Sequence, residues 1–184
     1  MALSRQQDSP PGRSRPRESG QALTEFAFVA IAMISLVLGL IDVGYAIFDL
    51  QVISNLSREG ANLAAHGATL QSTANAVIAS ADIPNFNTQG AVIVTVVQNQ
   101  GAAGAPKCVI TAQLSQGGIA ATSQIGTGVN TDVTATLVSC GEAPPVPQPG
   151  QLLYAMEVYY KFTPLTPIGT LLHLPSQLYD AAYF

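Results

Sequence analysis

The sequence predicts an α+β fold in which a long N-terminal helix, membrane-spanning in its first half, is followed by a small antiparallel sheet. Two observations lead to this prediction. The run from Phe26 to Phe48 is apolar apart from one acid and is long enough to cross a membrane. Beyond Pro84 the apolar pattern changes from the period of a helix to the two-residue alternation of strands. With 184 residues, the chain has room for one globular domain beside the helix.

Composition and charge exclude several classes of protein. Hydrophobic residues make up 48% of the chain and charged residues only 10%, which is not the composition of a disordered protein. The basic residues are concentrated before the apolar run, and residues 21–184 hold three basic against nine acidic residues. Such an acidic segment has no electrostatic footprint for nucleic acid. By the positive-inside rule, the N-terminus is expected in the cytoplasm and the C-terminal domain in the periplasm.

The first 83 residues divide into a leader and a helix. Residues 1–20 contain proline, serine and arginine without apolar periodicity, and we interpret them as a disordered leader. Residues 21–83 are predicted as the long helix, with its transmembrane part at residues 26–48. Asp42 would cost about 3 kcal/mol at the membrane centre, less than the thirteen Phe, Leu, Ile and Val residues of the run contribute, and we expect it near an interface.

The second half of this helix carries a predicted packing face with steps of three and four residues. It consists of Ile53, Leu56, Gly60 and Leu63. The face packs either on the chain's own globular part or on neighbouring helices, and the sequence leaves both open. A second helical stretch, residues 72–81, either continues the first helix or folds back, and Pro84 ends it.

The exported β domain is predicted over residues 84–184. One β-branched and almost wholly apolar segment, residues 91–98, and three alternating segments, residues 108–115, 133–138 and 155–162, indicate its strands. The tail beyond Phe162 contains three prolines and is expected to be irregular with a short terminal helix. If the second and third strands form a hairpin, Cys108 faces Cys140, and in an oxidising compartment the two would form a disulfide.

A short motif precedes the apolar run. Gly20 is followed five residues later by Glu25 and then by the aromatic Phe26. This is the pattern of a type IV prepilin, in which a membrane peptidase cuts after the glycine. The processing site would therefore be Gly20 and Gln21, and the resemblance assigns Glu25 and Phe26 to assembly.

Over a longer span the chain resembles the TadE-like minor pseudopilins of tight-adherence pilus systems. The resemblance rests on this motif, on residues 39–44 (GLIDVG), on residues 57–62 (SREGAN) and more weakly on residues 158–165 (VYYKFTPL). It implies a pilin-like fold and a non-catalytic role in assembling a pilus. The implied partners are a prepilin peptidase, other pilus subunits, inner-membrane assembly proteins and membrane lipid. The choice between the TadE and the sister TadF type stays open.

Several alternatives remain beside this interpretation. The apolar run is compatible with a signal peptide cut after Ala46, or with a plain single-pass anchor. A membrane-tethered periplasmic binding module is the main functional alternative, with four tyrosines as candidate contacts: Tyr159, Tyr160, Tyr179 and Tyr183.

An enzyme is not expected. His66 and His173 lie more than a hundred residues apart, and the sequence holds no phosphate-cradling loop and no nucleophile-and-base motif. The two histidines and two cysteines are not spaced as zinc ligands usually are, so neither a metal nor another cofactor is expected.

Overall fold

The computed structural model describes residues 18–102, 107–129 and 148–184. It confirms the α+β class, with one long helix followed by a four-stranded antiparallel sheet. The helices are α1 (Glu18–Ala65), α2 (Leu70–Ser80), α3 (Phe86–Gln89) and α4 (Pro167–Leu171). The strands are β1 (Gly90–Asn99), β2 (Cys108–Gly117), β3 (Leu152–Tyr160) and β4 (Leu178–Tyr183).

Helix α1 consists of two halves with different surroundings. Its 48 residues give a rod about 72 Å long at 1.5 Å per residue. The first half exposes large apolar side chains, for example Phe28 at 76% and Leu36 at 57%, and a window of 18 residues reaches a mean hydropathy of 2.5. By length and composition α1 could therefore span a membrane. Its second half packs on the sheet.

Helix α2 folds back against α1. The chain turns at Gly67, whose φ of 90° is in the left-handed region that glycine adopts without strain. Thr69 then caps α2, because its hydroxyl oxygen accepts a hydrogen bond from the amide of Ser72 at 3.1 Å. Of the two alternatives that the sequence left open for this stretch, the structure has the folded-back one.

The sheet has the strand order β2-β1-β3-β4, and every neighbouring pair is antiparallel. One face packs against α1 and α2 through alternate residues such as Val92, Val94, Met156 and Val158. The opposite face is covered in part by the segment after β2, from which Ile125 is completely buried. Strands β1 and β3 are therefore buried on both faces over most of their length, whereas β2 and β4 are only partly buried.

The sequence located β1, β2 and β3 within a few residues but missed β4. The tail was expected to be irregular, whereas residues 178–183 pair with β3 from Tyr160↔Leu178 to Ala155↔Tyr183. The expectation of a short helix in the tail corresponds to α4, which precedes β4 instead of ending the chain. Asp180 and two alanines weaken the strand signal of β4, because these residues have low β propensity. The predicted strand at 133–138 lies outside the described residues.

Candidate functional site

The N-terminal end of α1 projects away from the sheet domain. Gln21, Glu25 and Phe26 are exposed, and a Cβ placed on Gly20 would meet no other atom within 4 Å. The Gln21 side-chain amide donates to the Glu25 carboxylate at 3.1 Å, which shows that these two residues share one helix face. Among the described residues, nothing from the sheet domain contacts the Glu25 carboxylate.

The predicted packing face is directed at the chain's own domain. Ile53 is 0% and Leu56 4% exposed, and Gly60 is buried. A Cβ on Gly60 would lie 2.4 Å from Met156 Cε and 2.8 Å from Val77 Cγ2, so β3 and α2 together occupy the space that a side chain would need. Of the two alternatives left open by the sequence, this face packs on the chain itself.

Leu63 departs from that face. It is 39% exposed, and its predicted place is taken by Ala64, which is fully buried. The reason is the helical period, since a straight helix advances by 3.6 residues per turn and a strict heptad pattern drifts away from its partner by about 20° every seven residues. Ser57, four residues after Ile53 and three before Gly60, lies on the same buried face, and its hydroxyl donates to the Asp180 carboxylate and links α1 to β4.

Asp42 is the one acidic residue within the apolar run. It is 0% exposed, and its carboxylate accepts hydrogen bonds from the Leu165 amide at 2.9 Å and from the Thr166 amide at 3.0 Å. The Thr166 hydroxyl donates to the second carboxylate oxygen at 2.5 Å. Protein donors therefore satisfy this charge, and it needs no water from a membrane interface. The contact joins α1 to the segment that leads into α4.

A groove of about 630 Å³ lies between α1 and the sheet at this end of the domain. Tyr45, Phe48 and Asp49 of α1 form one wall. Asp49 is only 7% exposed, and no described residue donates a hydrogen bond to it. Asp82 also faces the groove but is exposed. The residues that line the groove include two acids and no basic side chain.

A second buried carboxylate, Glu157, accepts several hydrogen bonds on the opposite face of the sheet. Glu157 is 0% exposed and accepts from the Gln124 amide at 2.7 Å, the Tyr159 hydroxyl at 3.0 Å and the Tyr179 hydroxyl at 3.1 Å, as well as from Ser123. Burial and this carboxylate raise the pKa of both tyrosines. Burial also raises the pKa of Tyr183 to about 12, with the Glu157 and Asp180 carboxylates adding to the effect.

The four tyrosines proposed as contact residues are buried or partly buried within the domain. Tyr159 and Tyr160 are 4% and 5% exposed, and Tyr160 stacks on Phe86 with ring centroids 6.1 Å apart. The Tyr160 hydroxyl donates to the Pro84 carbonyl at 3.2 Å. Tyr179 and Tyr183 are partly buried, so none of the four is a freely exposed contact residue.

Only one of the two cysteines of the predicted disulfide lies among the described residues. Cys108 is 6% exposed, at the start of β2, and pairs in register with Asn99 of β1. Cys140 lies outside the described residues, so the bond between them stays a prediction. In the part of the chain that the structure describes, no group of three His, Cys, Asp or Glu side chains is placed to hold a metal ion.

Sequence reasoning missed the contact between Asp42 and the tail. Two signals were available. Thr166-Pro167 is a typical helix start, with a polar cap residue followed by proline at the first helical position. A lone acid in an apolar run also requires donors. Neither signal identifies the other as its partner, since the two segments lie more than 120 residues apart.

These features define a class of protein: within the described residues, one helix could span a membrane, and its second half carries a sheet domain that is held to it by buried polar contacts. Within this class, a family model described as TadE-like protein matches residues 20–62. The match agrees with the resemblance found in the sequence, and the matched residues form most of α1. The search of curated proteins and the search of solved structures found no match.

Proposed function

We propose that this chain is a TadE-like minor pilin or pseudopilin that takes part in assembling a tight-adherence type IV pilus after a prepilin peptidase removes residues 1–20. The observation that supports the proposal most directly is the position of the family match. It begins at Gly20, the predicted cleavage glycine, and extends along the helix to residue 62. The motif residues thus belong to the segment that carries the family signal, on the exposed end of α1.

The proposed mechanism begins with cleavage. A cut after Gly20 creates an ammonium group on Gln21, and Glu25 follows one helical turn later, about 6 Å along the axis. The Gln21–Glu25 hydrogen bond already places the two residues on one face. A lone carboxylate at the edge of an apolar environment is unfavourable by several kcal/mol, and pairing it with an ammonium reduces this cost. Glu25 would therefore bind the new amine, of its own chain or of a neighbouring subunit, when the helices associate.

The proposal includes a location and partners. The chain would sit in the inner membrane with its N-terminus in the cytoplasm and its sheet domain in the periplasm, and some copies would enter the extracellular pilus. Its partners would be the peptidase, other pilus subunits, the inner-membrane assembly proteins and lipid. The packing face at Gly60 is already occupied by the chain's own domain, so subunit contacts are assigned to the exposed first half of α1. No catalytic step is assigned to the chain.

The N-terminal residue of the membrane-extracted protein tests the proposed cleavage. We expect the mature protein to begin at Gln21 and the Gly20→Val variant to keep its full length, because a side chain at this position would obstruct the peptidase. Gly44→Val is the matched control, since Gly44 is an exposed glycine of the same helix with no atom within 4 Å of a Cβ. Cleavage of Gly20→Val at Gln21, or an N-terminus after Ala46, would refute the proposal.

Variants of Glu25 test the assembly step. Glu25→Ala and Glu25→Gln should both be inserted and cleaved, but neither should co-purify with pilus subunits, because both lack the negative charge. Glu59→Gln, at another exposed acid of α1, is the control and should assemble normally. Normal co-purification of Glu25→Gln would show that the charge has no role. A wild-type protein that never co-purifies with pilus machinery would favour the tethered binding module.

A further inference from the structure

The tail between β3 and β4 exposes an unusual amount of apolar surface. Leu165 is 63%, Leu171 74% and Leu172 49% exposed. Residues 162–177, here called the tail segment, contain no aspartate, glutamate, lysine or arginine. Exposed leucines within an uncharged segment of this length mark an interaction surface and are not typical of surface facing water.

The position of the tail segment indicates what covers it. Its α4 end contacts α1 at Gly39, where a Cβ would lie 3.2 Å from Leu172 Cδ1 and 3.8 Å from Ile168 Cγ2. One turn further along α1, Asp42 binds the amides of Leu165 and Thr166. Both attachment points belong to the apolar run of α1.

The rise per residue of α1 gives the depth of these contacts below the surface of the hydrocarbon core. A hydrocarbon core about 30 Å thick that begins at Phe26 extends over about 20 helical residues and ends near Tyr45. Asp42 then lies about 5 Å, and Gly39 about 9 Å, inside that boundary. The tail segment is held at the same level as both, next to lipid-facing side chains such as Leu40, which is 64% exposed.

We propose that the tail segment inserts into the lipid bilayer, with Leu165, Leu171 and Leu172 entering the leaflet on the side of the sheet domain. The proposal rests on α1 spanning a membrane. Non-helical backbone is tolerated at this depth only where its polar groups are satisfied by protein, and Asp42 satisfies the amides of Leu165 and Thr166. The segment in turn shields the Asp42 carboxylate from lipid. The sheet domain is therefore attached to the membrane at a second point and does not swing freely on α1.

Tryptophan fluorescence tests this proposal because the chain contains no tryptophan. The Leu171→Trp protein, purified and reconstituted in phosphatidylcholine vesicles, would be compared with the same protein in vesicles whose acyl chains are brominated. Leu152→Trp is the matched control. Leu152 is 46% exposed at the opposite end of β3 from Tyr160, which lines the groove beside α1. Leu36→Trp reports whether α1 itself is inserted.

We expect the brominated lipid to quench most of the fluorescence of Leu171→Trp and Leu36→Trp and to leave Leu152→Trp unchanged. If Leu36→Trp is quenched while Leu171→Trp behaves like Leu152→Trp, α1 spans the membrane but the tail segment does not enter it, and the proposal is wrong. A blue-shifted Leu171→Trp without quenching would mean that protein covers the segment, which also overturns it. If Leu36→Trp is not quenched, the membrane span fails, and the proposal with it.

Discussion

Three buried carboxylates show how single residues are accommodated in this molecule. Asp42 and Glu157 are both 0% exposed, and each is surrounded by amide and hydroxyl donors. Asp49, two turns beyond Asp42 on α1, is 7% exposed and accepts no hydrogen bond from any described residue. Because a buried charge is stable only when donors or opposite charges compensate it, these acids should respond differently to removal.

Removal of the Asp42 carboxylate should destabilise the attachment of the tail. In Asp42→Ala the amides of Leu165 and Thr166 lose their acceptor, and each unsatisfied buried donor costs about 1–3 kcal/mol. The free energy of unfolding in detergent micelles should fall accordingly, and proteolysis near residue 165 should become faster. Asp49→Ala is the control and should change stability little, because no described residue donates a hydrogen bond to this carboxylate, which borders the groove. Equal losses in both variants would contradict this account of Asp42.

The tyrosines near Glu157 predict a loss of stability at alkaline pH. Their folded-state pKa is raised, to about 12 for Tyr183, so above the ordinary value near 10 the unfolded chain loses these protons first. Stability should therefore be constant with respect to these groups below pH 10 and fall above it, by about 1.4 kcal/mol per pH unit for each tyrosine. Denaturant titrations between pH 8 and about 12 would measure this slope.

Tyr183→Phe provides the matched comparison for the alkaline slope. The Tyr183 hydroxyl is buried and has no hydrogen-bond partner among the described residues, so its removal should change the neutral-pH stability little. The variant has one titrating tyrosine fewer, so its free energy of unfolding should fall less steeply above pH 10. Identical alkaline slopes for the wild type and the variant would show that Tyr183 does not titrate as described.

At the scale of elements, α1 combines two helices of different character in one rod. Its first half has apolar side chains on all sides, as a helix in lipid requires, whereas its second half buries only the stripe that faces α2, β3 and β4. The close approach at Gly60 sets the distance between α1 and the sheet. The same element thus provides both the exposed N-terminal end and the support of the sheet domain.

The close approach at Gly60 can be tested by adding bulk. Gly60→Leu places four carbon atoms where Met156 and Val77 already lie, and overpacking of this kind costs about 1–3 kcal/mol, offset in part by the better helix propensity of leucine. The free energy of unfolding measures the effect. Ala65→Leu, at an exposed position of the same helix, should change stability by no more than about 0.5 kcal/mol. A Gly60→Leu protein as stable as this control would mean that the face is loosely packed.

At the scale of the whole molecule, contacts distant in sequence hold the sheet domain on the helix. Ser57 and Asp180 are linked across 123 positions, as are Asp42 and Leu165. Both contacts connect α1 to the last part of the chain, so the C-terminal tail closes the domain onto the helix. With the membrane attachment proposed for the tail segment, the orientation of the domain relative to the membrane follows from these contacts.

The predicted Cys108–Cys140 disulfide belongs to this scale because it would stabilise the sheet domain as a whole. Closing a loop of about 33 residues contributes roughly 3.7 kcal/mol on the chain-entropy estimate. Within the sheet that the structure describes, β2 is an edge strand, as the predicted hairpin requires. Mass spectrometry of the exported protein without reduction should find the pair joined, and Cys140→Ser should lower stability. Two unmodified thiols in the exported protein would contradict the bond and the assigned orientation.

The sequence by itself determined the features that depend on local pattern. The apolar run, the Gly20–Glu25 motif, the family resemblance and strands β1 to β3 follow from composition and from periods of 3.6 or two residues, which neighbouring positions reveal. The packing face was predicted at Ile53, Leu56 and Gly60 for the same reason, and it departs from the structure at Leu63, where a heptad and a straight helix diverge.

Only the tertiary structure shows which distant segments contact one another. The donors for Asp42, the burial of Glu157 and the pairing of β4 each join segments that are not adjacent in sequence, and no periodicity within one segment specifies which other segment satisfies it. Strand β4 has little intrinsic preference for a strand and is stabilised by pairing with β3. Asp42 is compatible with the apolar run because folding brings the Leu165 and Thr166 amides to its carboxylate. These hydrogen bonds offset the desolvation cost of the carboxylate, for which the neighbouring sequence offers no donor.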